Sequence, residues 1–195
     1  MYVRDAKNRD EAWLLDCIEE MGLDDVAFRS RDYVIAVDEG TNERAGFGRV
    51  RIHKTEDGEF CELTGIGVLP AWRGQGVGAH VIERLVETAS DEGFETVYTF
   101  ADEPGYLAQF GFDPVESSDL PGRLAERLEA KREDVMPDAV AMRVDVDEFE
   151  MPPRLREAFK RAEAGGEAVE EEPVESAEDF GIDPESATYK YDTDR

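Results

Sequence analysis

Residues 73–78 (RGQGVG) place three glycines beside an arginine, directly after an apolar run and before an amphipathic one. Glycine reaches positive φ and lets the backbone approach a ligand closely, because it has no Cβ. A helix that begins there offers unpaired N–H groups and the positive end of its dipole, which together favour phosphate or pyrophosphate. The spacing therefore predicts an anion site of main-chain amides, with Arg73 adding positive charge.

This loop departs from two common phosphate-binding motifs. No Lys-Ser or Lys-Thr follows the glycines, as a P-loop requires, and the GxGxxG dinucleotide pattern fails at Val81. Two glycines between a strand and a helix are, by themselves, equally compatible with a simple tight turn. The surrounding sequence has to decide between a turn and an anion site.

Hydrophobic periodicity predicts the elements that position the loop. The predicted strands are 1–4, 33–37, 45–52, 60–68, 96–101 and 139–146. The predicted helices are 10–21, 76–93, 104–110, 124–132 and an exposed one at 152–164. This order predicts an α/β fold with a mixed, twisted sheet, in which strands 60–68 and 96–101 run parallel on either side of a crossover helix.

The composition is strongly acidic. The 195 residues include 48 acidic and 22 basic ones, which gives a net charge of −26, and 41% are hydrophobic, enough for a core. Such a surface repels phosphate backbones and anionic lipid, so we expect no nucleic-acid and no membrane partner. Few lysines beside many acids resemble the proteins of halophilic archaea, where salt near 1 M screens like charges over about 3 Å.

The cysteines and the apolar runs indicate the compartment. Cys17 and Cys61 lie in apolar patterns without a CxxC spacing, so we expect buried free thiols and no metal site. No leader-like segment and no apolar run near 18 residues is present. A cytoplasmic protein is therefore expected.

The stretch VLPAWRGQGVG, with a helix behind it and YLAQFGFDPV downstream, resembles the GCN5-related N-acetyltransferase (GNAT) superfamily. The family signature is Arg or Gln, two residues, Gly, one residue, and Gly or Ala, which Arg73, Gly76 and Gly78 match. The resemblance covers about residues 1–150 and implies a GNAT-type sheet of about six to seven strands flanked by helices. Beyond it, the sequence predicts a C-terminal helix at 151–164 and an acidic, flexible tail at 165–195.

The resemblance also implies acetyl-CoA as cosubstrate, without a metal. In this family the fourth and fifth strands part to admit the thioester, and one strand N–H polarises its carbonyl. The cofactor-binding residues implied here are Ile66, Gly67, Val68, Arg73, Gly74, Gln75, Gly76, Val77 and Gly78. On this basis Gly76→Asp is expected to abolish cofactor binding and leave the fold intact.

Two residues are candidates for proton transfer. Glu62 lies on the strand six residues before Val68, near where some relatives place a carboxylate base, and partial burial there could raise its pKa. Tyr106 is the candidate general acid. Relatives carry a tyrosine four residues before the glycine of Gly-Phe, which is Leu107 here, so Tyr106 is turned by about 100° from that position. Its alternative role is packing.

The reaction expected from this resemblance is direct acetyl transfer from acetyl-CoA to a primary amine of a small molecule or peptide N-terminus. Residues 124–146 loosely resemble amino-acid acetyltransferases related to N-acetylglutamate synthase, so an amino-acid acceptor is the alternative. The basic residues that could then bind a substrate carboxylate are Arg49, Arg51, Lys131, Arg132 and Arg143. Two further alternatives are an acyl-CoA sensor without turnover and an acidic tail that recruits a basic partner. A homodimer also stays open.

Overall fold

One seven-stranded sheet organises the protein. A computed structural model describes residues 1–169, and the strands follow the order β1-β2-β3-β4-β5-β7-β6. Their bounds are β1 Tyr2–Asp5, β2 Tyr33–Val37, β3 Arg44–Thr55, β4 Gly58–Val68, β5 Thr96–Ala101, β6 Asp113–Pro114 and β7 Val140–Asp145. β4 and β5 are parallel and the other neighbours antiparallel, so the predicted mixed α/β sheet is confirmed.

Helices pack on both faces of this sheet. Within residues 1–169 they are α1 Glu11–Glu20, α2 Val77–Asp91, α3 Pro104–Ala108, α4 Gly122–Asp134 and α5 Pro153–Arg161. α2 lies on one face, where its predicted apolar stripe is buried against strands that include β4. α1 and α4 cover the other face, in two separate apolar clusters. Because side chains alternate along a strand, Cys61 and Leu63 of β4 face α2, and Glu62 and Thr64 face α4.

The parallel pair β4–β5 separates partway along its length. Pairing covers only 61–63 of β4 and 97–99 of β5, and the Thr99 hydroxyl donates to the Leu63 carbonyl at 2.9 Å near the last pair. β4 nevertheless continues to Val68. Gly65, at φ +58°, lies where the β3–β4 register shifts, a β-bulge that bends the strand. The expected gap between these two strands is therefore present.

The C-terminal part differs from the sequence-based expectation. α5 was expected to be exposed, but its Leu155 and Phe159 are buried in the core cluster that contains α2. Within the predicted tail, the amides of Gly165 and Val169 bond to the Ala71 and Gly74 carbonyls before α2. The rest of the predicted tail, 170–195, lies outside the described residues.

The short strand β6 was not predicted, because two residues show no periodicity. Cys17 and Cys61 are buried free thiols, as expected. Over the described part of the chain, no helix is both long enough and apolar enough to cross a bilayer.

Candidate functional site

The glycine loop joins β4 to α2 through backbone conformations that favour glycine. Gly74 and Gly76 have φ of +72° and +77°, and α2 begins at Val77. The first N–H groups of a helix have no partner inside the helix, and no side chain in residues 1–169 caps them here. Arg73 Nε donates to the Val68 carbonyl at 3.1 Å and ties the loop to the strand end. The loop has the local geometry that an anion site of main-chain amides requires.

The two signature glycines of the loop face different neighbours. A Cβ on Gly78 would lie 3.4 Å from Val68 Cγ2 and 3.6 Å from the Tyr106 hydroxyl oxygen, ordinary contact distances. A Cβ on Gly76 would instead overlap the Leu155 carbonyl oxygen of α5. The expectation that Gly76→Asp leaves the fold intact is therefore wrong, because any side chain there collides with α5 at a strained, positive φ.

Residues 66–68, the three predicted cofactor residues at the end of β4, point alternately to the two faces of the sheet. Ile66 lies on the α2 side, within 3.0 Å of where a Cβ on Gly48 would be. A Cβ on Gly67 would come within 2.7 Å of Phe47 and 2.8 Å of Met21, so a side chain at this position on the α1 side would require both neighbours to move. Gly67 can therefore contribute backbone atoms alone.

A cavity of about 370 Å³, called the cleft below, occupies the gap where β4 and β5 part. One end, on the α2 and α3 side, is lined by Ile66, Ile82, Tyr106 and Leu107. The other end, on the α1 and α4 side, is lined by Asp24, Thr64, Lys131 and Met136. The cleft thus connects the two faces of the sheet, and two substrates could meet in it from opposite sides.

Tyr106 points into the cleft despite its shifted register. Its hydroxyl lies beside Gly78 and Val68, at the glycine-loop end. The bulge at Gly65 is three residues before Val68 along β4, or roughly 10 Å at about 3.3 Å per residue. Leu107, at the family's usual tyrosine position, is apolar and lines the same cleft. Tyr106 is therefore placed to contact a ligand at the glycine loop and lies away from the bulge.

Glu62 is fully buried among basic side chains. Its Oε2 lies 2.8 Å from His53 Nε2 and 3.2 Å from Arg127 Nε, and its Oε1 lies 3.5 Å from Lys131 Nζ. Burial alone would raise the pKa of Glu62, but the hydrogen bond from His53 and the charges of Lys131 and Arg127 outweigh it and lower the pKa to about 2. These contacts argue against Glu62 as a proton acceptor and favour an ionised, structural carboxylate.

The same buried ion cluster, defined here as Asp24, His53, Glu62, Arg127 and Lys131, reaches the cleft. Arg127 Nη2 binds the Asp24 carboxylate, and Lys131 Nζ lies 3.7 Å from it. Lys131 also donates to the Thr64 hydroxyl at 2.8 Å. Burial lowers the pKa of Lys131, and the nearby Glu62 carboxylate only partly opposes this. Asp24 and Lys131 are thus held at the end of the cleft that lies opposite Tyr106.

Sequence reasoning missed most of this cluster. The five basic residues expected to hold a carboxylate do not meet at one point: Lys131 lines the cleft, Arg51 lines a separate cavity, and Arg49 binds the Val26 and Ala27 carbonyls. Arg132 donates to the Ala139 carbonyl, and Arg143 is exposed on β7. Asp24 and Arg127 carried no local signal, because a charged residue in a loop or on a polar helix looks like solvated surface.

Comparison with known proteins identifies the family of this chain. The sequence model of the acetyltransferase (GNAT) family matches residues 3–112. A similar curated protein is mycothiol acetyltransferase from Thermobifida fusca (strain YX), 31% identical over 109 residues, which are 51% of this chain and 34% of that protein. The chain thus aligns with about a third of that relative's length.

Similar solved structures share the fold at low sequence identity. Rv2747 from Mycobacterium tuberculosis, solved with CoA and NLQ, has a TM-score of 0.63 at 17% identity and covers 74% of this chain and 99% of its own. N-acetylglutamate synthase from Neisseria gonorrhoeae, with CoA and N-acetyl-glutamate, has a TM-score of 0.59 at 16% identity, covering 74% and 35%. Arabidopsis thaliana Naa50, with a bisubstrate analogue, has a TM-score of 0.53 at 14% identity, covering 74% and 97%.

Proposed function

Because the chain belongs to the acetyltransferase (GNAT) family, we propose that it transfers an acetyl group from acetyl-CoA directly to a primary amine of a small molecule or peptide N-terminus. The observation that carries this proposal is the uncapped start of α2, which follows two positive-φ glycines beside the gap between β4 and β5. An anion site and an entry for an extended thioester arm are thereby adjacent.

The residues around the gap fit such a cosubstrate. Acetyl-CoA would supply an activated acetyl thioester. Its diphosphate would be held by the amides of 75–78 with Arg73 nearby, where the helix dipole favours negative charge. Within the described residues, β4 has no β5 partner after Leu63. Backbone groups of 64–67 that face away from β3 are therefore available to an extended arm and to the thioester carbonyl.

The acceptor amine would approach from the Asp24 and Lys131 end of the cleft. The ion cluster fixes these side chains and the Thr64 hydroxyl, because each is bonded to a buried partner. Holding two reactants in the right orientation can account for much of the acceleration of such a transfer. The chemistry needs no covalent intermediate on the protein and no metal.

The amine is the open part of this proposal. The relatives solved with CoA include an N-acetylglutamate synthase and Naa50 with the analogue CoA-Ac-MVNAL, so the fold accompanies both small and peptide acceptors. An amino-acid acceptor stays the second candidate, favoured by the cationic Lys131 in the cleft. Its charge, however, already faces Glu62 and Asp24, which weakens its pull on a substrate carboxylate.

A thiol-release screen tests the proposal. The protein is incubated with acetyl-CoA in concentrated salt, and release of CoA is followed with amino acids, polyamines and peptide N-termini. Amine-dependent release supports the transfer. Binding of acetyl-CoA without amine-dependent release of CoA would instead favour a sensor. The absence of any acetyl-CoA binding would refute the proposal for the loop.

Tyr106→Phe separates a cofactor-binding role from proton transfer. Because the hydroxyl lies beside Gly78, we expect mainly a higher KM for acetyl-CoA, with kcat changed less than about threefold. Loss of a general acid would lower kcat by about 100-fold or more. Steady-state kinetics decide, with Tyr98→Phe on β5 as the control. A kcat loss of that size would restore the general-acid hypothesis.

The charge pattern supports a further part of the proposal, that the protein works in concentrated salt in the cytoplasm of a halophile. The net charge is −26, and both cysteines are unlinked thiols. Activity and thermal stability that rise between about 0.1 M and 1 M salt, where the screening length shortens, would support it. Equal activity and equal thermal stability at the two salt concentrations would contradict it.

A further inference from the structure

The chain beyond the family match returns to the glycine loop. Residues after β7 are outside the matched range of 3–112, yet α5 lies across the start of α2. The Phe159 ring stacks on His80 with centroids 3.9 Å apart, and the Leu155 carbonyl lies against the Cα of Gly76. The segment that follows α5, residues 163–169, is called the clasp below.

Gln75 is the main attachment point of the clasp. Its side-chain Nε2 donates to the Glu163 carbonyl at 3.0 Å, and its Oε1 accepts from the Glu163 amide at 3.0 Å. The same Nε2 lies 3.3 Å from the Ala71 carbonyl. Gln75 is 4% exposed, so one buried amide joins two segments that are 88 residues apart.

Two main-chain hydrogen bonds extend the clasp along the loop. The Gly165 amide donates to the Ala71 carbonyl at 2.8 Å, and the Val169 amide donates to the Gly74 carbonyl at 2.7 Å. Gly166 packs so closely on the Gln75 side chain that a Cβ there would overlap Oε1. The adjacent glycines in this acidic stretch are thus explained by close packing and by the positive φ of Gly165.

The hydrogen bonds of the clasp, residues 163–169, do not use the main-chain amides of 75–78. They go to carbonyl oxygens and to the Gln75 side chain. No backbone acceptor in residues 1–169 takes the N–H of Gln75 or Gly76, and the amides of Val77 and Gly78 are in the first turn of α2. A segment that competed with an anion would be expected to occupy these donors.

We propose that the clasp holds the glycine loop in its anion-binding conformation, and that Gln75 is the positioning residue through which it acts. This rests on the proposed function, in which the loop binds acetyl-CoA. Glycines lose the most conformational freedom when they are fixed, and this loop has two at positive φ. Fixing them before the ligand arrives removes that entropic cost from binding.

The proposal has a required reciprocal effect. If the clasp favours the conformation that binds the cofactor, cofactor binding must stabilise the clasp by the same factor. A clasp that covered the cofactor site would show the opposite sign, because binding would release it. A purely structural clasp would show no coupling. Protection of the Glu163, Gly165 and Val169 amides therefore reports directly on the mechanism.

The first experiment measures amide hydrogen exchange in the full-length protein with and without saturating CoA. We expect exchange at these three clasp amides to slow by about tenfold. Unchanged or faster exchange, in a protein that binds CoA, overturns the proposal and leaves the proposed function intact. If the unmodified protein does not bind CoA at all, the proposed function fails first.

The second experiment compares CoA affinity in variants by calorimetry. Gln75→Leu removes the side-chain bonds. Gly165→Pro breaks the clasp without changing a loop residue, since proline cannot adopt the φ of +77° and has no N–H to donate to the Ala71 carbonyl. Both should raise the Kd for CoA by about tenfold, and Gly165→Pro, which lies outside the loop, should leave kcat at saturating acetyl-CoA nearly unchanged. Lys160→Gln is the control, because Lys160 is exposed on α5 and pairs with Glu157 of the same helix. Equal CoA affinity in all three variants refutes the role of Gln75. If a variant fails to fold, the exchange experiment on the unmodified protein decides whether the proposal holds.

Discussion

Gly78→Asp is expected to abolish acetyl-CoA binding in a protein that stays folded. The side chain would enter the space between Val68 and the Tyr106 hydroxyl, at the first turn of α2. Two like charges about 4 Å apart repel by about 4 kcal/mol at an effective dielectric constant near 20, so the Kd for CoA should rise by at least about 100-fold. Calorimetry at fixed salt measures this, because screening reduces the effect.

The same position supplies matched controls. Gly78→Ala adds only the Cβ, for which the structure has room, and should bind CoA as the unmodified protein does. Gly78→Asn adds the bulk of aspartate without its charge and should be intermediate. All three should keep the melting temperature, because an acid in the first turn of a helix is favourable and glycine is a poor helix former. Normal CoA binding by Gly78→Asp would contradict the placement of the diphosphate.

Glu62→Gln is expected to destabilise the protein strongly. The substitution keeps the size of the side chain but leaves Arg127 and Lys131 buried with only Asp24 to balance them. Removing one partner of a buried ion pair costs about 3 kcal/mol or more, which lowers the melting temperature by roughly 10 °C in a domain of this size. Thermal unfolding followed by circular dichroism measures the change.

Glu59→Gln is the matched control for Glu62→Gln. Glu59 is on the same strand, and it pairs with Lys54 at 2.8 Å, but the two side chains are 52% and 77% exposed. An exposed pair contributes little, so the melting temperature should stay within about 2 °C. If Glu62→Gln instead kept its melting temperature and lost turnover, Glu62 would regain the role of catalytic base.

The stabilising effect of Glu62 should also depend on pH. Its pKa falls from the ordinary 4.5 to about 2 in the folded protein, so the unfolded chain binds its proton first as the pH drops. The contribution to stability is therefore complete above about pH 5 and is lost as the pH falls toward about 2. The difference in unfolding free energy between the unmodified protein and Glu62→Gln should shrink over this range. A constant difference would contradict an ionised Glu62.

The sequence by itself determined the order of the main elements and the glycine loop. The spacing of apolar residues that indicates a strand or a helix repeats within a few residues. The apolar pairs of α2, at 77–91, therefore predicted a helix there from the sequence alone. The signature from Arg73 to Gly78 is equally local, because its chemistry needs only a strand end, positive φ and a helix start. β6 escaped notice because two residues contain no period.

Only the tertiary structure decided what surrounds those elements. Glu62 looked like a candidate base on an apolar strand, but His53 of β3 and Arg127 and Lys131 of α4 come together around it only when the sheet and α4 pack. Gln75 was predicted to bind the cofactor, and the partner of its side chain, Glu163, is 88 residues away. Burial and charge pairing set the pKa of a carboxylate, and hydrogen bonds join the loop to the clasp. Both depend on neighbours that are distant in sequence.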